Sequence, residues 1–184
     1  DKDTFRKSIE ENTLLDYVNR VKVKKGDIFF IKAGTLHAIC KGILLAEVQQ
    51  NSNTTYRVYD YGRRDKNGRQ RELHIEKALD VTRLQKYEGR VSSGALLGAS
   101  KYFSVRRLRT QNEVLYTDSK TFQCLTCVKG EGKIDGQTVR VGDSFFVPAS
   151  YGEYSIIGDM EIIVTEIRKY YIGIDLGGTF IKGG

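Results

Sequence analysis

The sequence predicts an all-β chain of short antiparallel strands, a sandwich or barrel, entered through a short helical segment. Three observations predict it. Short apolar or alternating runs recur through the second half, with turn residues between them. The composition joins 19 Gly and 11 Tyr to many β-branched residues, with one Pro and no Trp. One strand-and-turn unit also occurs twice: GDIFFIKAGTLH, ending at His37, and GDSFFVPASYGE, ending at Glu153.

The 184 residues suffice for one large or two small domains. Residues 3–19 read as helical, with Phe5, Ile9, Leu14, Leu15 and Val18 forming a rough stripe. Asn12 and Thr13 interrupt it and can cap a second short helix at Leu14. Strands are expected at 21–23, 28–31, 43–48 and 56–61, with a turn at 33–35 that presents His37. A strand, a tight turn and a strand would bring His37 and Arg57 toward one pocket. Residues 75–81 fit a turn or two of helix, and 87–97 read as a linker. Beyond it, strands are expected at 103–108, 113–116, 121–128, 132–134, 137–141, 144–147, 154–157 and 161–166. Asp135-Gly136 is a tight-hairpin signal between two of them.

Composition narrows the function. The net charge is +7, but the charges are scattered, which argues against a nucleic-acid surface. The densest cluster, residues 63–71, reads as a solvated hairpin loop, with attraction of a small anion as the functional alternative. Three cysteines, Cys40, Cys124 and Cys127, make no disulfide framework and point to a reducing, cytoplasmic setting. Cys124 and Cys127 are three apart in a strand, hence on opposite faces, and read as core thiols rather than a metal clip. No apolar run reaches about 18 residues, so membrane spanning is not expected. The chain opens on Asp1 without a targeting pattern, which leads us to expect a fragment.

The repeated unit resembles the second motif of the cupin superfamily: Gly, five residues, Pro, one residue, Gly, two residues, then a metal-binding His. Gly26, Gly34 and His37 match it, with Lys32 at the Pro position. In the second copy Gly142 and Pro148 match, while Ser150 and Glu153 replace the Gly and the His. Read further, AGTLHAICKG, EVQQNSNTTYRVYDYGR and RELHIEKALDV resemble the C-terminal half of a type I mannose-6-phosphate isomerase of the short bacterial kind. The resemblance covers residues 1 to about 168.

It implies a double-stranded β-helix, the cupin jelly roll. Residues 1–20 would end a helical region, 21–86 the first, catalytic barrel, incomplete at its start, and 87–168 would form a second, metal-free barrel. It also implies a zinc cofactor with His37 as one ligand, Arg57 as the catalytic arginine, and a sugar phosphate as substrate. The family's other ligands, a Gln, a His and a Glu, and its substrate lysine would precede Asp1, so the chain alone is expected to be inactive. An open barrel edge invites self-association. Asn53 stands four before the arginine, where the family often has Asp, and an amide cannot serve as a base. Glu47 and Asp60 are nearby carboxylates without an assigned part, and His74 reads as a structural contact. A non-catalytic double-cupin binding or structural module is the alternative.

The last residues differ in kind. Asp175, Gly177, Gly178 and Thr179 follow an apolar strand as DLGGT, where paired glycines let backbone amides approach a phosphate. This closely resembles the opening phosphate-binding hairpin of the ROK family of sugar kinases, such as bacterial glucokinases. It implies an isomerase fused to a kinase, with residues 169–184 as the kinase start, unable to bind ATP alone.

Overall fold

The structure is a computed structural model and describes residues 1–52, 54–91 and 94–168. The backbone divides into two compact units, one of Asp1–Ile43 and Ser52–Arg90, the other of Leu44–Asn51 and the chain from Val91 on. Asn53 and the DLGGT segment with Asp175, Gly177, Gly178 and Thr179 lie outside the described residues.

In the first unit, helix α1 (Lys2–Glu10) begins at Asp1, whose side chain accepts the Thr4 N–H at 2.7 Å. Asp3 in its first turn and Lys7 in its last suit the helix dipole. Its buried residues Phe5, Ser8 and Ile9 share one face, three and four apart. The helix stops where the sequence predicted an interruption. Asn12 adopts a left-handed φ of 58°, Thr13 N–H reaches Ser8 O at 2.8 Å and Asn12 N–H reaches Ile9 O at 3.2 Å. This is a Schellman stop with Asn in the place Gly usually takes. A 3₁₀ turn, Leu14–Asp16, follows and buries Leu14. Helix α2 (Ile75–Val81) has the bounds read from the sequence and buries Ala78 and Leu79. Phe5, Ile9, Leu14, Val58, Ala78 and Leu79 form one small core, with Val18, Tyr59 and Ile75 packed against it. A two-pronged Arg6–Glu76 ion pair joins the helices, with Nη2 at 2.7 Å from Oε2.

The strands expected at 21–23, 43–48 and 56–61 do not form. Between α1 and α2 the only strand among the described residues is β1 (Ile28–Phe29), paired with β2 (Arg90–Val91) in a two-stranded ribbon. An apolar run becomes a strand only if a neighbour satisfies its backbone groups, and nothing described pairs with these three. The side chains of 21–23 and 43–48 stay in solvent, Leu44 at 97% exposure, whereas in 56–61 Val58 enters the core of the first unit without a strand around it. The expected linker 87–97 in turn contains β2 and the start of β3. The charged segment is the solvated hairpin loop read from the sequence. Arg64 and Gln70 form an antiparallel bridge, and the Asp65 carboxylate accepts the amides of Asn67 and Arg69, each at 2.8 Å.

The second unit is a curled, half-barrel antiparallel sheet of six strands among the described residues. They are β3 (Leu96–Ala99), β4 (Phe103–Thr117), β5 (Gln123–Ile134), β6 (Gln137–Arg140), β7 (Ser144–Val147) and β8 (Gly152–Ile167). Their spatial order is β3-β4-β8-β5-β6, with β7 also on β5. The expected pairs 103–108 with 113–116, and 154–157 with 161–166, are each one long strand. The apparent breaks are bulges, one of them between Thr110 and Asn112, where the register to β8 slips by one residue and the strand bends without ending. At the β5–β6 hairpin, Asp135 and Gly136 both take positive φ, 47° and 80°, as a type I′ turn requires.

Strand alternation buries Leu125, Val139, Ile156, Ile162 and Val164 completely on the concave face, with Cys127, Ile134, Met160 and Tyr154 around them. A polar chain crosses this core. Tyr154 OH donates to Gln123 Oε1, and Gln123 Nε2 donates to Glu166 Oε1 at 2.6 Å. Burial pushes the Tyr154 hydroxyl up to about 12. No buried side-chain nitrogen or oxygen among the described residues lacks a partner.

Candidate functional site

All three residues that bear on the site, His37, Arg57 and His74, belong to the first unit. His37 follows β1 through a tight turn closed by Thr35 N–H on Lys32 O at 3.0 Å. Gly34 holds the third position of that turn at φ 83°, a conformation open to glycine and strained for other residues. A Cβ there would also overlap the Val81 carbonyl oxygen, while Arg83 N–H bonds the Gly34 carbonyl at 2.8 Å. The turn therefore lies flat against the end of α2, and glycine is needed for both reasons.

His37 itself is exposed. Its Nδ1 lies 2.8 Å from the Thr35 carbonyl oxygen, a group that can only accept. Nδ1 therefore carries the proton, and Nε2 presents its lone pair to solvent in the neutral ring. This is the arrangement a metal-ligating histidine adopts, one nitrogen fixed by a backbone carbonyl and the other free to bind.

His74 has the opposite tautomer. Its Nδ1 accepts the Arg57 backbone N–H at 3.0 Å, so in the neutral ring the proton sits on Nε2. Its own N–H returns to the Arg57 carbonyl at 2.7 Å. Arg57 is half-buried, and the next residue, Val58, is in the core at 5% exposure. Asp60 is engaged by Arg71, with Nε 2.9 Å from Oδ2 and a second contact from Nη2. That hydrogen bond holds the Asp60 carboxyl below its usual range, which leaves it a poor proton acceptor. Glu47 is exposed.

The structure does not join His37 to Arg57. Among the described residues no hydrogen bond, ion pair or ring contact links them, and no three His, Cys, Asp or Glu gather where a metal could sit. Cys124 is half-buried and Cys127 buried, and burial pushes both thiols up, as expected of core cysteines rather than ligands. A four-coordinate zinc does not fit the described residues by themselves, because they supply one free imidazole nitrogen. Sequence reasoning read His74 as a structural contact but missed that its partner is Arg57. No short-range pattern signals a bond across 17 residues.

Three comparisons bear on this geometry. Residues 95–167 match the family described as mannose-6-phosphate isomerase, cupin domain. The chain is 34% identical over 177 residues to a probable mannose-6-phosphate isomerase of Bacillus subtilis, GmuF, covering 89% of this chain and 56% of that protein. It is 36% identical over 180 residues to the Bacillus subtilis mannose-6-phosphate isomerase ManA, covering 90% of this chain and 57% of that one. A crystal structure of the mannose 6-phosphate isomerase from Bacillus subtilis superimposes with a TM-score of 0.75 at 32% identity, covering 90% of this chain and 57% of that chain. The chain thus spans a little over half the length of the relatives it matches. No helix among the described residues is long and apolar enough to cross a membrane. Over about nine tenths of its length the chain is similar to mannose-6-phosphate isomerases, and its residues 95–167 match the cupin domain of that family.

Proposed function

We propose that the chain is the C-terminal part of a zinc-dependent isomerase that interconverts mannose 6-phosphate and fructose 6-phosphate. In this reading residues 21–86 belong to the first, catalytic barrel, 87–168 form a second barrel without a metal, and the protein works in the cytoplasm. The observation that carries the proposal is the fixed tautomer of His37. Its Nδ1 is committed to Thr35 O at 2.8 Å, and Nε2 is left to serve as one metal ligand.

Aldose–ketose isomerisation moves a proton between C1 and C2 through an enediolate. The step needs a fixed positive charge where negative charge develops, and Arg57 supplies a rigid, permanent one. Both backbone polar groups of Arg57, its N–H and its carbonyl, are held by His74, so the guanidinium starts from a defined base. The net charge of +7 favours arrival of an anionic sugar phosphate. In this reading the other metal ligands come from outside the described residues, and the chain alone is inactive. In the same reading Asp175, Gly177, Gly178 and Thr179 open a ROK-type sugar kinase domain, without nucleotide affinity of their own.

The test measures zinc content and turnover of mannose 6-phosphate, for this chain and for the protein lengthened to match its relatives. The expected result is stoichiometric zinc and turnover in the longer protein alone. A longer protein with neither zinc nor turnover would refute the isomerase reading. It would also favour the non-catalytic double-cupin module.

A further inference from the structure

We infer that His74 is a positioning residue for Arg57. The inference rests on the reading of Arg57 as the catalytic cation and deepens it. The segment around Arg57 was expected to be a strand, and a strand fixes each residue through its neighbours. Among the described residues no strand runs beside it. Both backbone polar groups of Arg57 instead end on one residue, the N–H on His74 Nδ1 at 3.0 Å and the carbonyl on His74 N–H at 2.7 Å.

His74 can hold that register because it is itself anchored. It is the capping residue of α2, and its carbonyl accepts Ala78 N–H at 2.9 Å. Ala78 and Leu79 sit in the core, at 2% and 5% exposure. Glu76, two residues into the helix, is paired with Arg6 of α1. The Tyr56 ring flanks the imidazole, tilted by 55° with centroids 6.2 Å apart. The load therefore runs from the helical core, through one imidazole nitrogen, to the peptide of Arg57. Breaking only the side-chain bond frees the Arg57 amide and lets the guanidinium shift, while the core stays packed.

Two variants separate this role from simple support. His74→Phe keeps the ring and loses the acceptor. His74→Asn loses the ring and keeps an acceptor oxygen close to the Nδ1 position. The first measurement is amide hydrogen exchange at Arg57 in this chain. Protection is expected to be lost in H74F and recovered in H74N. The second is isomerase kinetics in the lengthened protein. H74F is expected to lower kcat by about tenfold to a hundredfold with KM changed less than about threefold, and H74N to recover at least about tenfold of that loss.

The inference is overturned if H74F leaves Arg57 protection and kcat as in the wild type, or if H74N falls as far as H74F in both. A wild-type lengthened protein without turnover overturns the isomerase reading and the catalytic part of the inference with it. The exchange measurement still decides, independently, whether His74 holds Arg57.

Discussion

Removing one hydroxyl from the core of the second unit should alter both the size and the pH dependence of stability. Tyr154 is 2% exposed, and its OH donates to the side-chain oxygen of Gln123, which is 4% exposed. In Tyr154→Phe the ring volume stays and the Gln123 oxygen loses its donor. Leaving a buried acceptor unpaired costs about 1–3 kcal/mol, so the variant should be less stable by that amount at pH 7.

Alkaline pH should then shrink the difference. Burial raises the folded-state pKa of Tyr154 from 10.0 to about 12. Between those values the unfolded chain loses the proton while the folded chain keeps it, so stability from this group is full below the unfolded value and falls as pH rises. By pH 11 the loss is about 1.4 kcal/mol, from roughly one unit of pH beyond the unfolded pKa. Phenylalanine cannot titrate, so the gap between wild type and variant should close by that amount between pH 9 and pH 11. Urea unfolding followed by circular dichroism, on both proteins at pH 7, 9 and 11, measures it. A gap of less than about 0.5 kcal/mol at pH 7 would refute the hydrogen-bond argument. A gap unchanged at pH 11 would refute the burial argument.

Three further outcomes are expected. Gly34→Ala should destabilise the first unit by about 1–3 kcal/mol, because φ 83° is strained for alanine and the new methyl meets the Val81 carbonyl; thermal unfolding with no loss would contradict the packing described. In the lengthened protein, Arg57→Lys should cut kcat by about a hundredfold to a thousandfold while zinc content stays unchanged; equal activity would remove Arg57 from the chemistry. The exposed apolar run 43–48, with Leu44 at 97% exposure, should make this chain self-associate, and Leu44→Lys should reduce it. Light scattering that shows a monomer at high concentration for the unaltered chain would count against this.

Much of the second unit was legible in the sequence because its signals are local. Ser144–Val147 and the Asp135-Gly136 turn were read directly, since alternation and turn chemistry are properties of neighbours. The merging of separate runs into β4 and β8 was not legible. A bulge at Thr110 and Asn112 breaks the alternation in sequence but continues the ladder in space. The opposite error occurred at 43–48, where an apolar run promised a strand that needs a partner. The site divides in the same way. His37 stood out through the cupin-like spacing, Arg57 through its aromatic run and the longer family resemblance, and Gly34 through the turn it makes possible. The His74–Arg57 bond did not, because only the tertiary fold brings these residues side by side.

The order of strands in the sheet has a consequence for how the second unit is assembled. β4 and β5 do not pair with each other; both pair with β8, which lies between them and comes last among the described strands. Phe103 meets Ile167, and Gln123 meets Glu166. The β5–β6 hairpin and the β5–β7 pair close locally, but the middle of the sheet stays vacant until synthesis passes Ile167. Until then a nascent chain carries two strands with unpaired edges toward the same empty lane, and the step that completes the unit spans its longest loops. Folding of the described sheet is therefore gated by β8: a truncation within β8 should leave two edges open, whereas one ending beyond it should leave this sheet whole.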